Sequence, residues 1–159
     1  MNNLAFNQNL LSPVSFKLVI NAAEFANISY FTVNANLPSV SLTEATAGFR
    51  NQSGFVPGDK LMYDPLTIRL ALDEDFVGYS ELFNWIKGNT TNVDLKVADL
   101  SLIVMSSHNN ANKTFVFKNA HPTNLGQIDF NVQASDVEYA ILDVTFRYDY
   151  FTISGTPVC

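Results

Sequence analysis

Cysteine is almost absent from this chain of 159 residues: the single one, Cys159, is its last residue. An internal disulfide is therefore excluded, as is a zinc site built on paired thiolates. Histidine is nearly as scarce. His108 and His121 both sit among turn-forming residues, and neither has a second histidine at metal-ligand spacing. Basic charge is thin too, with nine Lys and Arg against fifteen Asp and Glu, a net charge of −6. No basic cluster occurs, so the phosphate neutralisation on which a firm grip on DNA depends is missing, while passive contact with DNA stays open. No apolar run reaches the length of a membrane span, so membrane insertion is not expected. The opening MNNLAFNQNLLSPVSF has neither the basic start nor the apolar stretch of a secretion signal, which implies folding in a cytoplasm.

Motifs for chemistry are missing as well. There is no Gly-x-Ser-x-Gly elbow, and Cys159 lies on a free end where no neighbour fixes its geometry. Gly58-Asp59-Lys60 lacks the second glycine and the Ser or Thr of a phosphate loop. Asp73-Glu74-Asp75 could be drawn as a metal or acid–base cluster. It lacks the spaced oxygen ligands and the glycine of a calcium loop, and it reads as a helix cap. Glu81 has no carboxylate or histidine partner at helical spacing. No catalytic residue, cofactor-binding residue or metal ligand is assigned, and the chain is read as a non-enzyme.

What is abundant is apolar: 47% of residues are hydrophobic and 13% aromatic, against 15% charged. That balance implies one globular domain, placed at residues 14–153 between an Asn-rich arm at 1–13 and a short tail at 154–159. Period-two alternation marks strands at 15–20 and 28–35, expected to form an antiparallel pair. Residues 36–56 lose the pattern and read as a long loop. Its isolated Val40, Leu42, Phe49 and Phe55, with Arg50 among them, are expected to meet a partner, since water gives apolar groups no reason to occupy a loop.

From Pro57 to Gly88 the chain reads as one supersecondary unit. Pro57-Gly58-Asp59 has turn chemistry, and Leu66, Ile68, Leu70 and Leu72 alternate as a strand. The acidic triplet then starts a helix over about 75–87, closed by Lys87-Gly88. Phe76, Tyr79, Phe83 and Ile86 recur at spacings of three and four and are expected to anchor it on the core. Downstream, Leu100–Val104 and Phe115–Phe117 form a hairpin through His108–Asn112. Residues 119–126 read as a turn-rich link into a strand at Ile128, Phe130 and Val132.

The last strand, over 140–152, places Leu142, Val144, Phe146, Tyr148 and Tyr150 on one side and Asp143, Thr145, Arg147 and Asp149 on the other. Its phase flips near Ile141, as a bulge or a doubly buried end would require. Its aromatics could form a sugar platform, but strict alternation favours the core. About seven strands and one helix make a mainly β, antiparallel β-sandwich or barrel-like domain with one flanking α-helix.

Three passages, PGDKLMYDPLTIRLALDEDFVGYSELFNWIKG, HPTNLGQIDF and VEYAILDVTFRYDYF, resemble in order and spacing the tail tube proteins of contractile-tailed bacteriophages, relatives in fold of type VI secretion tube subunits. The resemblance spans Pro57 to Phe151. It implies a subunit that forms six-membered rings, stacked into a tube through which DNA passes during ejection. The implied partners are further copies of itself, tail sheath, and baseplate or neck proteins, and the implied location is a virion tail assembled in the host cytoplasm. Asp143, Thr145, Arg147 and Asp149 then become candidates for the lumen or a sheet face. Residues 40–55 become the candidate loop to an adjacent subunit or ring. A tube initiator or terminator on the same fold is the near alternative, and a stand-alone β-sandwich that binds glycans is the distant one.

Overall fold

The computed structural model describes residues 10–21, 31–91, 94–132 and 139–155. Among them the chain runs β1 (Phe16–Ile20), β2 (Thr32–Asn36), β3 (Val40–Phe49), β4 (Gln52–Tyr63), β5 (Leu66–Ala71), α1 (Val77–Thr91), β6 (Ala98–Met105), β7 (Ala111–Leu125), β8 (Ile141–Arg147) and β9 (Tyr150–Gly155). Every ladder is antiparallel. One sheet has the order β1-β6-β7-β9 and the other β7-β8-β5-β2, so β7 belongs to both. Among the described residues the architecture is the expected β-sandwich with one flanking helix.

Strand β7 changes sheets at a kink. It pairs with β9 up to Lys118 and, across a register shift, with β6 as far as Ala120, and from His121 to Leu125 it pairs with β8. Between them Asn119 takes φ 55, a left-handed conformation that asparagine tolerates better than most residues. Side chains hold the bend. The Asn119 amide donates to Asp149 Oδ2 at 2.6 Å and its backbone N–H to Asp99 Oδ1 at 3.2 Å, while Lys118 Nζ meets Asp99 Oδ2 at 2.6 Å. The hydrogen bond from Lys118 holds the Asp99 carboxyl below its ordinary range.

Between the sheets lies a single core. Leu18, Leu66, Ile68, Leu100, Phe117, Leu142, Val144 and Phe146 are fully buried in it, each stabilising by about 1.5–3 kcal/mol relative to exposure. The alternation of Leu142, Val144 and Phe146 therefore points inward as expected. The aromatics after them divide: Tyr148 and Phe151 pack against Phe117, with centroids 4.9 and 5.3 Å away, whereas Tyr150 is exposed.

Several boundaries differ from the sequence reading. The expected β1–β2 pair does not form, because β1 pairs with β6 and β2 with β5; residues 22–30 between them lie outside the described residues. The patternless loop at 36–56 is a β-hairpin, β3 and β4, and Pro57-Gly58-Asp59 lies inside β4 instead of turning the chain. The link at 119–126 is the second half of β7. No strand forms at Ile128–Val132, where Phe130 and Val132 face solvent. The long last strand is two, broken at Tyr148–Asp149 where the chain crosses from β8 to β9, and β9 extends into the expected tail. No bulge explains the phase flip: Ile141 pairs in register with Ala71 and is 43% exposed.

The helix is longer than expected and turned about its axis. Asp73 caps it, its Oδ2 accepting from Val77 N at 3.3 Å and its carbonyl from Phe76 N at 3.1 Å. It runs through Gly88 because Thr90 and Thr91 hydroxyls return to the Lys87 carbonyl at 2.7 and 3.1 Å and satisfy part of the helix end. The residues buried beneath it are Leu82 and Trp85, with Tyr79 partly buried against the core. Trp85 packs edge-on against Phe146 and donates from Nε1 to the Lys96 carbonyl at 2.7 Å. Phe83, expected to anchor the helix, is instead 49% exposed. One residue of offset rotates a helical stripe by about 100°, enough to move Phe83 out and Leu82 in. Leu82→Ala should therefore cost about 2–5 kcal/mol in chemical denaturation, whereas Phe83→Ala should stay within about 1 kcal/mol. Equal losses would contradict this register.

Candidate assembly surface

Among the described residues, strands β3 and β4 pair with each other and with no other strand. At about 3.4 Å per residue, the twelve residues of β4 make a ribbon about 40 Å long. Pairings Val40↔Tyr63, Leu42↔Leu61 and Thr46↔Phe55 place Val40, Leu42, Phe55, Leu61 and Tyr63 on one face, with Glu44 opposite Pro57 among them. Ala45↔Val56 and Met62 belong to the other. Apart from the half-buried Tyr63 these large side chains are open to solvent, Phe55 to 69%. Arg50 stands exposed at the tip, beside Phe49, whose side chain lies outside the described residues. All five residues singled out in the expected loop thus belong to one ribbon.

The ribbon bends where the register shifts between Leu42 and Glu44. There Gly58 lies directly against the Thr43 carbonyl and hydroxyl, so that any Cβ at this position would collide with backbone. Thr43 Oγ1 donates to the Lys60 carbonyl at 3.2 Å across the same bulge. Proline and glycine at 57 and 58 thus serve the bulge and not a turn.

Its base is tied to the body. Ser39 Oγ donates to Asp64 Oδ2, and Asp64 N donates back to the Ser39 carbonyl at 3.1 Å. The Tyr148 hydroxyl donates to the Asp64 carbonyl at 2.7 Å. Tyr63 packs edge-on against Tyr148 and Phe151, centroids 6.0 and 5.5 Å away, which joins the ribbon to the core aromatics through Phe117. Burial, with Tyr63 and Asp64 nearby, pushes the Tyr148 hydroxyl up to about 12.

The polar residues of β8 form a second surface, on the outer face of the β7-β8-β5-β2 sheet. Asp143 pairs across the ladder with Arg69, Nε to Oδ1 at 2.8 Å and Nη2 to Oδ2 at 3.3 Å. That hydrogen bond lowers the Asp143 carboxyl below its usual range. Thr145 and Arg147 continue the face, and Asn34, Asn36 and Thr67 flank the ion pair. Asp149 is not part of it: it stands at the β8–β9 bend, bound to Asn119. Among the described residues no group of His, Cys, Asp or Glu is placed to hold a metal ion.

Sequence reasoning missed a third feature. Phe130, Phe76, Tyr79 and Phe83 form a continuous row with successive centroids 6.3, 6.3 and 6.4 Å apart, the last pair stacked within 9° of parallel. Spacings of three and four in 76–83 carried the signal, but were assigned to the core.

No protein-family model matches this sequence, and no curated protein matches it. Solved structures do. The cap that terminates the tube of the anti-feeding prophage superimposes with a TM-score of 0.74 over 98% of this chain and 100% of that one, at 16% identity. A chain from the sheath–tube complex of PVC, an extracellular contractile injection system, gives 0.67 over 94% of each chain at 17% identity. A type six secretion system protein gives 0.56 over 87% of this chain and 81% of that one, at 11% identity. The fold is therefore that of tube and tube-end proteins of contractile injection systems, the fold the tail tube resemblance implied.

Because the Tyr148 pKa in the folded chain exceeds its ordinary 10.0, its contribution to stability is complete below pH 10 and lost as pH rises through about 12. Denaturation midpoints measured across that window should fall more steeply for the wild type than for Tyr148→Phe. Parallel slopes would mean that the hydroxyl does not tether the ribbon.

Proposed function

We propose that this chain is a structural subunit of the tube of a contractile, tail-like particle, and that its copies close into six-membered rings which stack through the β3–β4 ribbon. The observation that carries the proposal is the ribbon itself: a long two-stranded element, apolar and uncovered, rigidly based on a fold shared with tube proteins. An isolated two-stranded hairpin is marginal in water, and a second copy supplies the cover that the described residues do not. Further edges support ring closure. The outer sides of β1, β2 and β9 have no strand partner among the described residues, and a ring removes such edges by pairing them with neighbours.

In this reading the outer face of β8 and β5 lines the lumen. Its Arg69–Asp143 pair cancels locally, and the subunit as a whole is acidic, so a passing DNA strand would find few counterion-releasing contacts and slide. Conduction of DNA during ejection, a virion tail as the location, assembly in a host cytoplasm, and contact with sheath and baseplate or neck proteins all belong to this proposal. The near-complete overlap with a tube-terminating cap favours a second reading, in which the subunit ends a tube and its ribbon engages the last ring. The role is structural in both cases.

Electron microscopy of the purified protein tests the reading. Six-fold rings or tubes are expected for the wild type. Replacing residues 41–62 by an Asn-Gly turn between Val40 and Tyr63 should give a folded monomer that forms none. Normal tubes from that variant would remove the ribbon from assembly, and a wild-type monomer that binds sugars would favour a glycan-binding module.

A further inference from the structure

The ribbon and the aromatic row lie at opposite ends of one strand. The base of the ribbon, Tyr63–Asp64, is one residue, Pro65, before Leu66 at the start of β5. Phe76, at the centre of the row, follows five residues after Ala71 at its end. Six residues of β5 separate the two by about 20 Å, so the molecule has an apolar projection at one pole and a partly exposed aromatic strip at the other.

The strip is unlike the buried side of α1. At its two ends Phe130 and Phe83 are open, Phe130 to 72%, and between them the half-buried Phe76 and Tyr79 complete an ordered series of ring contacts. Exposed Glu74 and Asp75 immediately precede Phe76, while the ribbon ends in exposed Arg50; nearer its base Lys60 is offset by Asp59, and Glu44 shares the apolar face. Both surfaces are apolar, and the charge at the tip of the ribbon is opposite in sign to that of Glu74 and Asp75. Two different, complementary patches on one chain make a heterologous contact, which repeats from copy to copy instead of closing as a pair.

We infer that the row Phe130–Phe76–Tyr79–Phe83 is the dock for the β3–β4 ribbon of a second copy, in the ring stacked next to it. Phe55, Leu42 and Leu61 lie across the rings of the strip, and Arg50 faces Glu74 and Asp75. This rests on the proposed stacking role of the ribbon and adds the surface that receives it.

Mixing two full-length variants tests the pairing. Phe55→Asp spoils the ribbon and leaves the row intact; Phe83→Asp with Phe130→Asp spoils the row and leaves the ribbon intact. All three positions are exposed, and circular dichroism melts check that each variant folds. Each alone should stop at single rings, and an equimolar mixture should form paired rings that grow no further, seen by electron microscopy and sedimentation. Wild-type tubes from the row variant would overturn the dock while leaving the role of the ribbon standing. A mixture without paired rings would also overturn it. Wild-type tubes from Phe55→Asp, or a wild type that stays monomeric, would overturn both readings.

Discussion

One strand serves two sheets in this molecule, and the bend that lets it do so fixes the placement of everything else. If β7 continued straight past Lys118 it would leave β8 without its second neighbour, and no strand would be shared between the two sheets. Asn119 turns the strand at φ 55, while Asp99, Lys118 and Asp149 converge on the turn from β6, β7 itself and the β8–β9 bend. The same bend sets the path of β8 beside β5. The ribbon therefore leaves one end of β5, and the helix the other.

Magnitudes decide how much a projecting ribbon can do. Val40, Leu42, Phe55, Val56, Leu61 and Met62 are all exposed, and complete burial of such side chains yields about 1.5–3 kcal/mol each. Their sum is of the same order as the loss of translational and rotational freedom on association, about 4–15 kcal/mol. A single docked ribbon would barely hold two subunits together. Several ribbons linked through one ring act together, since binding of the first raises the effective concentration of the rest. These magnitudes favour the proposed ring over the single subunit as the unit that stacks.

Much of the body was legible because its strands obey a simple rule. Leu66, Ile68 and Leu70 in β5 and Leu142, Val144 and Phe146 in β8 alternate against one core, and Asp73 marks the helix start where its carboxylate caps Val77. The ribbon was illegible for the opposite reason. With apolar residues on both faces and no core beneath either, β3 and β4 show no alternation, and Pro57-Gly58 imitates a turn while forming a bulge against Thr43. The helix stripe misled because Phe83 and Leu82 are both apolar and adjacent, so local spacing did not determine which of them met the sheet. Gly88 likewise imitates a stop, yet the helix continues past it, with the Thr90 and Thr91 hydroxyls bonded to the Lys87 carbonyl and Asn89 tied to Lys96. In each case a long-range or side-chain contact overrode a local preference.

The central claim is that the β3–β4 ribbon is completed by another copy of the chain, and hydrogen exchange measures this directly. In dilute monomer the amides of β3 and β4 should exchange far faster than those of β5 and β8, and on assembly they should become protected toward the level of the body. Ribbon amides as slow as the core in the monomer, or still fast in an assembled particle, would contradict the account.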